Sequence, residues 1–129
     1  MTEPVRGAKA MLPNLTGVAP IAPTPFTDAG DVDLDGQRRV MDCMVDQGVD
    51  AICILANYSE QFALTDNERR ATQDVCLDQV AGRVPVIVTV SHFSTRIASE
   101  RARDAAASGA SMLMLMPPYH GATLRADES

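Results

Sequence analysis

The sequence predicts an α/β fold, namely the N-terminal half, about β1 to β4, of a (β/α)8 TIM barrel. Four strand-like runs alternate with helix-like segments at intervals of about thirty residues, which is the length of a repeated βα unit. No hairpin signal separates the runs, so parallel pairing is expected. Because a complete barrel takes roughly 250 residues, the 129 residues of this chain hold about half of one.

The strand-like runs are nearly continuous in apolar residues, as in strands that helices cover on both sides of a sheet. They span residues 17–26, 51–56, 84–90 and 111–116. The first run is the least regular, because Pro20, Pro23 and Pro25 have no N–H group to donate to a ladder. We still expect a strand in this run, but the prolines leave its first and last residues undetermined.

Helices are predicted between the runs. The first begins after Asp33 and ends at Gly48, a residue suited to a left-handed C-terminal cap. The second begins with a capping box, in which the side chains of Thr65 and Glu68 each accept from the other residue's amide. Gly82 is expected to stop it.

The third helix is predicted from Ser94 or Thr95 to Gly109. Small residues recur along it at helical spacing, which would let the helix lie close to the sheet. They are Ala98, Ala102, Ala105 and Ala106. Residues 1–16 precede this pattern as an N-terminal extension, and residues 17–129 are predicted to form one partial barrel domain.

The composition is that of a soluble globular protein, with 46% hydrophobic and 22% charged residues. The net charge is −6 and no lysine or arginine cluster is present, so nucleic acid and anionic membranes are not expected partners. No apolar stretch reaches the ~18 residues of a membrane span, and Glu3, Pro4 and Pro13 interrupt any secretory leader. The sequence predicts a cytoplasmic protein without a cofactor.

The three cysteines, Cys43, Cys53 and Cys76, are odd in number and form no Cys-x-x-Cys pair. Because they lie inside apolar helical or strand patterns, we predict buried, reduced thiols rather than metal ligands or nucleophiles.

Polar residues follow each run, where a barrel carries its chemistry at the C-terminal ends of the strands. These rim segments are residues 24–26, 56–61, 91–94 and 117–120. Both histidines of the chain, His92 and His120, fall on this rim. A histidine there suits proton transfer or a supporting hydrogen bond equally well.

Several of these segments resemble the dihydrodipicolinate synthase and N-acetylneuraminate lyase family. They are residues 17–26, the turn Asp28-Ala29-Gly30 with Asp33, Gly48-Val49-Asp50, the loop 56–60, residues 81–87 and Pro117-Pro118-Tyr119. They occur in order and with the family's spacing from Gly17 onward. Residues 54–62, 91–93 and 116–122 most resemble the 2-keto-3-deoxy-L-arabonate dehydratases within that family.

The resemblance implies a lyase that forms a Schiff base between a lysine on the sixth strand and the keto group of a 2-oxo acid. The expected reaction is dehydration of a 2-keto-3-deoxy sugar acid such as 2-keto-3-deoxy-L-arabonate, although aldol cleavage stays open. Relatives are usually tetramers built from tight dimers, so a homo-oligomer is expected.

The resemblance also assigns roles to the loop after the second run, which is commonly Gly-Thr-Thr-Gly-Glu in the family. Asn57 replaces the first threonine as a catalytic residue, and an amide orients a proton-bearing group but does not relay a proton as a hydroxyl does. Tyr58, Ser59 and Glu60 are implied to bind substrate. The alternative is a polar loop packed under the second helix.

After the fourth run, His120 matches the second residue of the family's tyrosine pair and is implied to assist proton transfer. Tyr119 matches the first of the pair and is implied to be an interface residue.

The single lysine, Lys9, does not fit the role of nucleophile. A Schiff-base lysine lies at a strand end and is partly desolvated, so that its amine is neutral enough to attack a carbonyl. Lys9 precedes the first run in a segment that should be hydrated. We therefore expect no Schiff-base lysine in this chain, which would be truncated before it and inactive alone.

Two other functions remain open from the sequence. One is a non-catalytic half-barrel module that pairs with a second half-barrel chain or with itself. The other is an iron or zinc enzyme with Glu60, His92 and His120 as ligands, although these residues come from separate loops without a short-range ligand motif.

A half barrel has two unpaired strand edges, and exposed edges template pairing with other chains. We predict that the isolated chain self-associates or is poorly soluble. Light scattering over a concentration series checks this, and a monomer that unfolds cooperatively would contradict it.

Overall fold

The computed structural model describes residues 15–117, in which helices alternate with parallel strands. The elements are α1 (Leu34–Asp46), β1 (Ile52–Ile54), α2 (Asp66–Val80), β2 (Val86–Thr89), α3 (Thr95–Ala107) and β3 (Met112–Met114), with a 3₁₀ helix at Gln61–Ala63. The strands pair in the order β1-β2-β3, all parallel. The predicted alternation of strands and helices is therefore present, and each strand lies inside its predicted run.

The N-terminal segment, residues 17–26, differs from the expected strand. It runs parallel to β1, but Ile21 is its one residue that bridges to β1, opposite Cys53, while Phe26 at its end forms an antiparallel bridge with Val32. The amide of Ala22 donates to the Cys53 carbonyl at 2.8 Å, and the Cys53 amide donates to Pro20 at 2.9 Å. The prolines provide carbonyls but no amides, so the segment occupies the position of a strand without a continuous ladder.

One close approach fixes the start of this segment. The Asp50 carboxylate accepts from the Val18 amide at 2.7 Å. It passes so near Gly17 that a Cβ atom there would lie 1.9 Å from Asp50 Oδ2. Gly17 also has φ of 101°. Glycine is required at this position for both reasons.

The core lies between the sheet and the helices. Ile52 and Ile54 of β1 stand opposite Val86 and Val88 of β2 in register. Their side chains pack against residues of all three helices, which include Met41, Cys76, Val80 and Ala105. All four of those helix residues are fully buried, so the three helices cover one face of the sheet.

The helix ends follow the sequence signals with one difference. Asp33 Oδ1 accepts from the Gly36 amide at 2.8 Å, and the predicted capping box of α2 is present. However, α2 ends at Val80, and Ala81 already has a left-handed φ of 50° ahead of Gly82 at 75°. The turn into β2 uses two successive left-handed residues, of which only the second is glycine.

The prediction for the cysteines is wrong for Cys43. All three thiols are free, and Cys53 and Cys76 are buried, but Cys43 is exposed. A helix turns about 100° per residue, so Cys43 points away from Met41, which is two positions earlier and faces the core. Burial raises the pKa of Cys76 to about 12 and also raises that of Cys53, so neither thiol readily forms a thiolate.

The outer strand of the sheet is uncovered within residues 15–117. Leu113 stands opposite the fully buried Val88, yet it is 43% exposed, and Leu115 is 67% exposed. No helix beyond α3 is present in this part of the chain to cover them. None of its helices is long and apolar enough to cross a membrane.

The capping box allows a test of helix α2. The Thr65 hydroxyl accepts from the Glu68 amide at 3.2 Å and donates to Glu68 Oε2 at 2.9 Å, while Oε2 also accepts from the Thr65 amide at 2.8 Å. Replacing Thr65 by alanine should cost about 1 kcal/mol of unfolding free energy, measured by urea denaturation at neutral pH.

The effect of Thr65→Ala should depend on pH. Hydrogen bonds from the Thr65 backbone and side chain lower the pKa of Glu68 below its ordinary value of 4.5. Their contribution is therefore full above that value and is lost as pH falls through the lowered pKa. The difference in unfolding free energy between wild type and Thr65→Ala should therefore narrow as the pH falls through the lowered pKa of Glu68. Thr95→Ala is the control, because Ser94 caps α3; an equal loss in both variants would contradict the assignment.

Candidate active-site rim

The C-terminal ends of β1, β2 and β3 lie at one edge of the sheet, because the strands are parallel. In barrels of this type, the loops at that edge carry the reacting groups. The rim loops in the described residues are 55–61 after β1, 90–94 after β2 and 115–117 after β3. The predicted site residues of the first two loops can therefore be located.

The loop after β1 is a tight turn with left-handed residues at both ends. Leu55 has φ of 57° and Glu60 has φ of 56°. Between them, the Ser59 amide donates to Ala56 at 3.1 Å and the Glu60 amide donates to Asn57 at 2.9 Å. A left-handed residue other than glycine costs about 1–2 kcal/mol, so other contacts must hold this loop in place.

Ser59 provides those contacts. It is only 1% exposed, and its hydroxyl donates to the Ala22 carbonyl at 2.6 Å. The Thr24 hydroxyl donates in return to the Ser59 carbonyl at 2.8 Å. The loop is thus tied to the N-terminal segment. Because the hydrogen of the Ser59 hydroxyl is already used, this hydroxyl can act toward a ligand only as an acceptor.

The other three predicted residues of the loop are exposed: Asn57, Tyr58 and Glu60. Tyr58 is 68% exposed. The side-chain Nε2 of Gln61 lies 3.5 Å from Asn57 Oδ1, which is long for a hydrogen bond. The loop therefore presents an amide, a phenol and a carboxylate to solvent on the rim while Ser59 anchors it from below.

The loop after β2 is joined to both neighbouring loops. Phe93 stacks on Phe62, with ring centroids 6.1 Å apart. The Ser91 hydroxyl accepts from the Met116 amide at 2.8 Å. His92 Nδ1 accepts from the Ser94 amide at 2.9 Å, which assigns the ring proton to Nε2. This histidine therefore offers an N–H donor at the rim.

Two arginines that sequence reasoning missed also reach the rim from the helices. Arg69 of α2 donates to the Thr89 carbonyl, and Arg101 of α3 donates to the Ser91 carbonyl at 2.8 Å. A signal was available, because Arg69 shares a buried stripe of α2 with Thr72, Cys76 and Val80 at spacings of three and four.

Several predicted residues cannot be located. Tyr119, His120 and Lys9 lie outside the described residues. The metal hypothesis needs His120, so it is not tested through that ligand. Among residues 15–117, no group of three or more histidine, cysteine, aspartate or glutamate side chains is placed to hold a metal ion.

Comparisons with known proteins place these features in context. A sequence profile described as the dihydrodipicolinate synthetase family matches residues 14–127. The chain is 53% identical over 117 residues to the L-2-keto-3-deoxyarabonate dehydratase of Azospirillum brasilense, covering 91% of this chain and 38% of that protein. It is 38% identical to the 4-hydroxy-tetrahydrodipicolinate synthase of Salinibacter ruber, covering 81% and 34%.

The fold agrees with solved structures. YagE of E. coli K12, a prophage protein belonging to the dihydrodipicolinic acid synthase family and solved in complex with pyruvate, matches with a TM-score of 0.81 at 29% identity. The match covers 89% of this chain and 39% of that one. The predicted partial (β/α)8 barrel is confirmed, and the chain spans about two fifths of the length of these relatives.

The anchoring role of Ser59 is testable. Replacing Ser59 by alanine deprives the buried Ala22 carbonyl of its donor, which should cost about 1–3 kcal/mol. The neighbouring variant Tyr58→Phe removes an exposed hydroxyl and should stay within about 0.5 kcal/mol of wild type. Urea unfolding of both measures the difference, and equal stabilities would show that the Ser59 contact anchors nothing.

Proposed function

We propose that this chain, which belongs to the dihydrodipicolinate synthetase family, forms the N-terminal part of a Schiff-base lyase that dehydrates a 2-keto-3-deoxy sugar acid. The observation that carries the proposal is its 53% identity to an L-2-keto-3-deoxyarabonate dehydratase over 91% of the chain. The pyruvate in the YagE structure is a 2-oxo acid, which supports a substrate of that class. We propose 2-keto-3-deoxy-L-arabonate as the substrate.

We assign the exposed loop residues to the substrate. The Tyr58 hydroxyl and the Asn57 amide offer donors to a carboxylate or sugar hydroxyl, and Glu60 offers an acceptor. Asn57 orients a proton-bearing group rather than passing a proton on. Ser59 contributes at most an acceptor, since its hydrogen is bonded to Ala22.

We assign proton transfer during loss of water to His120 and an interface role to Tyr119. An imidazole with an ordinary pKa of about 6.5 is suited to both taking and giving a proton near neutral pH. His92 carries a donor on the same rim, which makes it a second candidate for a substrate hydroxyl.

We propose that the Schiff-base amine comes from outside these 129 residues. The chain has one lysine, Lys9, and it precedes every described strand. The assembled enzyme would then combine this rim with a lysine from another part of the barrel, and the 129-residue chain alone would be inactive.

The uncovered β3 edge favours a second candidate function. Leu113 and Leu115 expose apolar surface beside a strand that is paired on one side in the described residues. A non-catalytic module that pairs with another half barrel, or with itself, would cover this surface. Recovery of a discrete dimer of this chain would favour this function if, in addition, no 2-oxo acid is trapped when the chain is joined to the downstream part of a family member.

Two proteins test the lyase. The first is the chain alone, and the second is a chimera in which it replaces the matching N-terminal part of the Azospirillum brasilense dehydratase. The chimera should remove one water from 2-keto-3-deoxy-L-arabonate, and mass spectrometry of the product measures this loss. Borohydride with pyruvate should trap an adduct on the chimera, outside these 129 residues, and none on the chain alone.

Variants of the chimera test the residue roles. Asn57→Ala should lower kcat on the order of 100-fold through lost orientation, and His120→Gln should lower it by at least about 100-fold and alter the pH profile. Thr95→Ala, on the first turn of α3, is the matched control and should leave kcat unchanged. An adduct on Lys9, or full activity of both site variants, would contradict these assignments.

A further inference from the structure

Gln61 is a buried amide directly behind the exposed residues of the loop after β1. It begins the 3₁₀ helix Gln61–Ala63 and is 5% exposed, whereas Asn57 and Glu60 of the same loop are exposed. Its backbone amide lies 3.4 Å from the Ala56 carbonyl, so Gln61 closes the turn that carries Asn57. A ligand at the rim would therefore meet the neighbours of Gln61 rather than Gln61 itself.

The side chain of Gln61 is poorly satisfied for a buried amide. Nε2 lies 3.5 Å from Asn57 Oδ1, and Oε1 is buried without a hydrogen-bond partner among the described residues. A buried acceptor that lacks a donor lowers stability. An apolar side chain of similar size would fill the same space without that cost, so packing does not explain an amide at position 61.

Asn57 has a chemical requirement that this buried amide meets. A threonine hydroxyl, which the family commonly has at this position, donates and accepts through one oxygen atom. An asparagine amide has a donating end and an accepting end, so the group that holds one end decides which end a ligand meets. Nε2 of Gln61 is a donor and lies on the Oδ1 side of Asn57.

The separation of 3.5 Å is long for a hydrogen bond. Catalytic hydrogen bonds are often long before a substrate binds and shorten in the complex. A donor whose orientation is fixed by a buried neighbour loses less freedom when the substrate arrives, and this raises its contribution to catalysis.

We propose that Gln61 is a positioning residue, in which Nε2 donates to Asn57 Oδ1 and thereby directs the Asn57 Nδ2 donor toward the substrate. Gln61 acts through Asn57 and does not touch the substrate. Its effect on turnover rests on the proposed function, whereas its effect on the conformation of Asn57 can be measured without turnover.

Gln61→Met in the chimera with the Azospirillum brasilense dehydratase tests the effect on turnover. Methionine is flexible and apolar and fills the space of the glutamine, so the variant should unfold at the same urea concentration as the parent chimera or at a higher one. Even so, kcat for 2-keto-3-deoxy-L-arabonate should fall about tenfold, the loss expected for one hydrogen bond. KM should change by no more than about twofold.

Gln47→Met is the matched control. Gln47 is an exposed glutamine that follows α1, at the edge of the sheet opposite the rim. This variant should keep the kcat and KM of the parent chimera. A Gln61→Met chimera that is as active as Gln47→Met would overturn the proposal.

A double variant separates positioning from packing. When Asn57→Ala is already present, Gln61→Met should not lower kcat further, because the residue that it positions is gone. A packing role would lower kcat in both backgrounds. A second loss of about tenfold in the Asn57→Ala background would therefore overturn the proposal.

Crystal structures of the parent chimera and of Gln61→Met test the positioning even if the parent chimera has no dehydratase activity, a result that would count against the proposed function alone. The Asn57 side chain should have one conformation in the parent and several in the variant. The same single conformation in both would overturn the proposal. If Gln61→Met fails to fold, Gln61→Leu replaces it in the same comparison.

Discussion

The described part of the barrel depends on side-chain hydrogen bonds that supplement an incomplete β-ladder at its first position. Prolines at three of the ten positions in residues 17–26 interrupt the row of backbone amides, and side chains from other parts of the chain add hydrogen bonds to this segment. The Asp50 carboxylate, the Ser59 hydroxyl and the Gln37 amide bond to its backbone, and Thr24 bonds back to the loop after β1. The three side chains that bond to this segment come from three different parts of the chain, so the first barrel position depends on long-range contacts.

The same contacts determine which loop residues are available to a ligand. Ser59 faces inward and anchors the loop, and its neighbours Asn57, Tyr58 and Glu60 are therefore turned toward solvent. Phe62 and Phe93 stack across to the next loop, and Ser91 holds the loop after β3. Binding groups on a rim gain precision when their supports are buried and hydrogen-bonded. The division between anchoring and exposed residues is thus a property of the fold.

Local signals in the sequence predicted the elements that local physics controls. The capping box, the Asp33 cap and the apolar runs of β1, β2 and β3 each involve residues only a few positions apart, and the structure confirms them. Long-range partners were not readable: nothing near Ser59 in sequence indicates Ala22, which lies 37 residues away. Cys43 was misassigned because its apolar neighbours hid which side of α1 it occupies. Arg69 was missed because a buried arginine is rare.

The two left-handed residues of the loop after β1 bear on protein engineering. The left-handed φ of 56° at Glu60 is a conformation that glycine or asparagine adopts at lower energetic cost than glutamate does. Selection for thermal stability alone would therefore favour replacement of Glu60. The resulting variant would be more stable but would lack a carboxylate on its rim. Anyone redesigning this chain should therefore hold position 60 fixed and seek robustness on the helices instead.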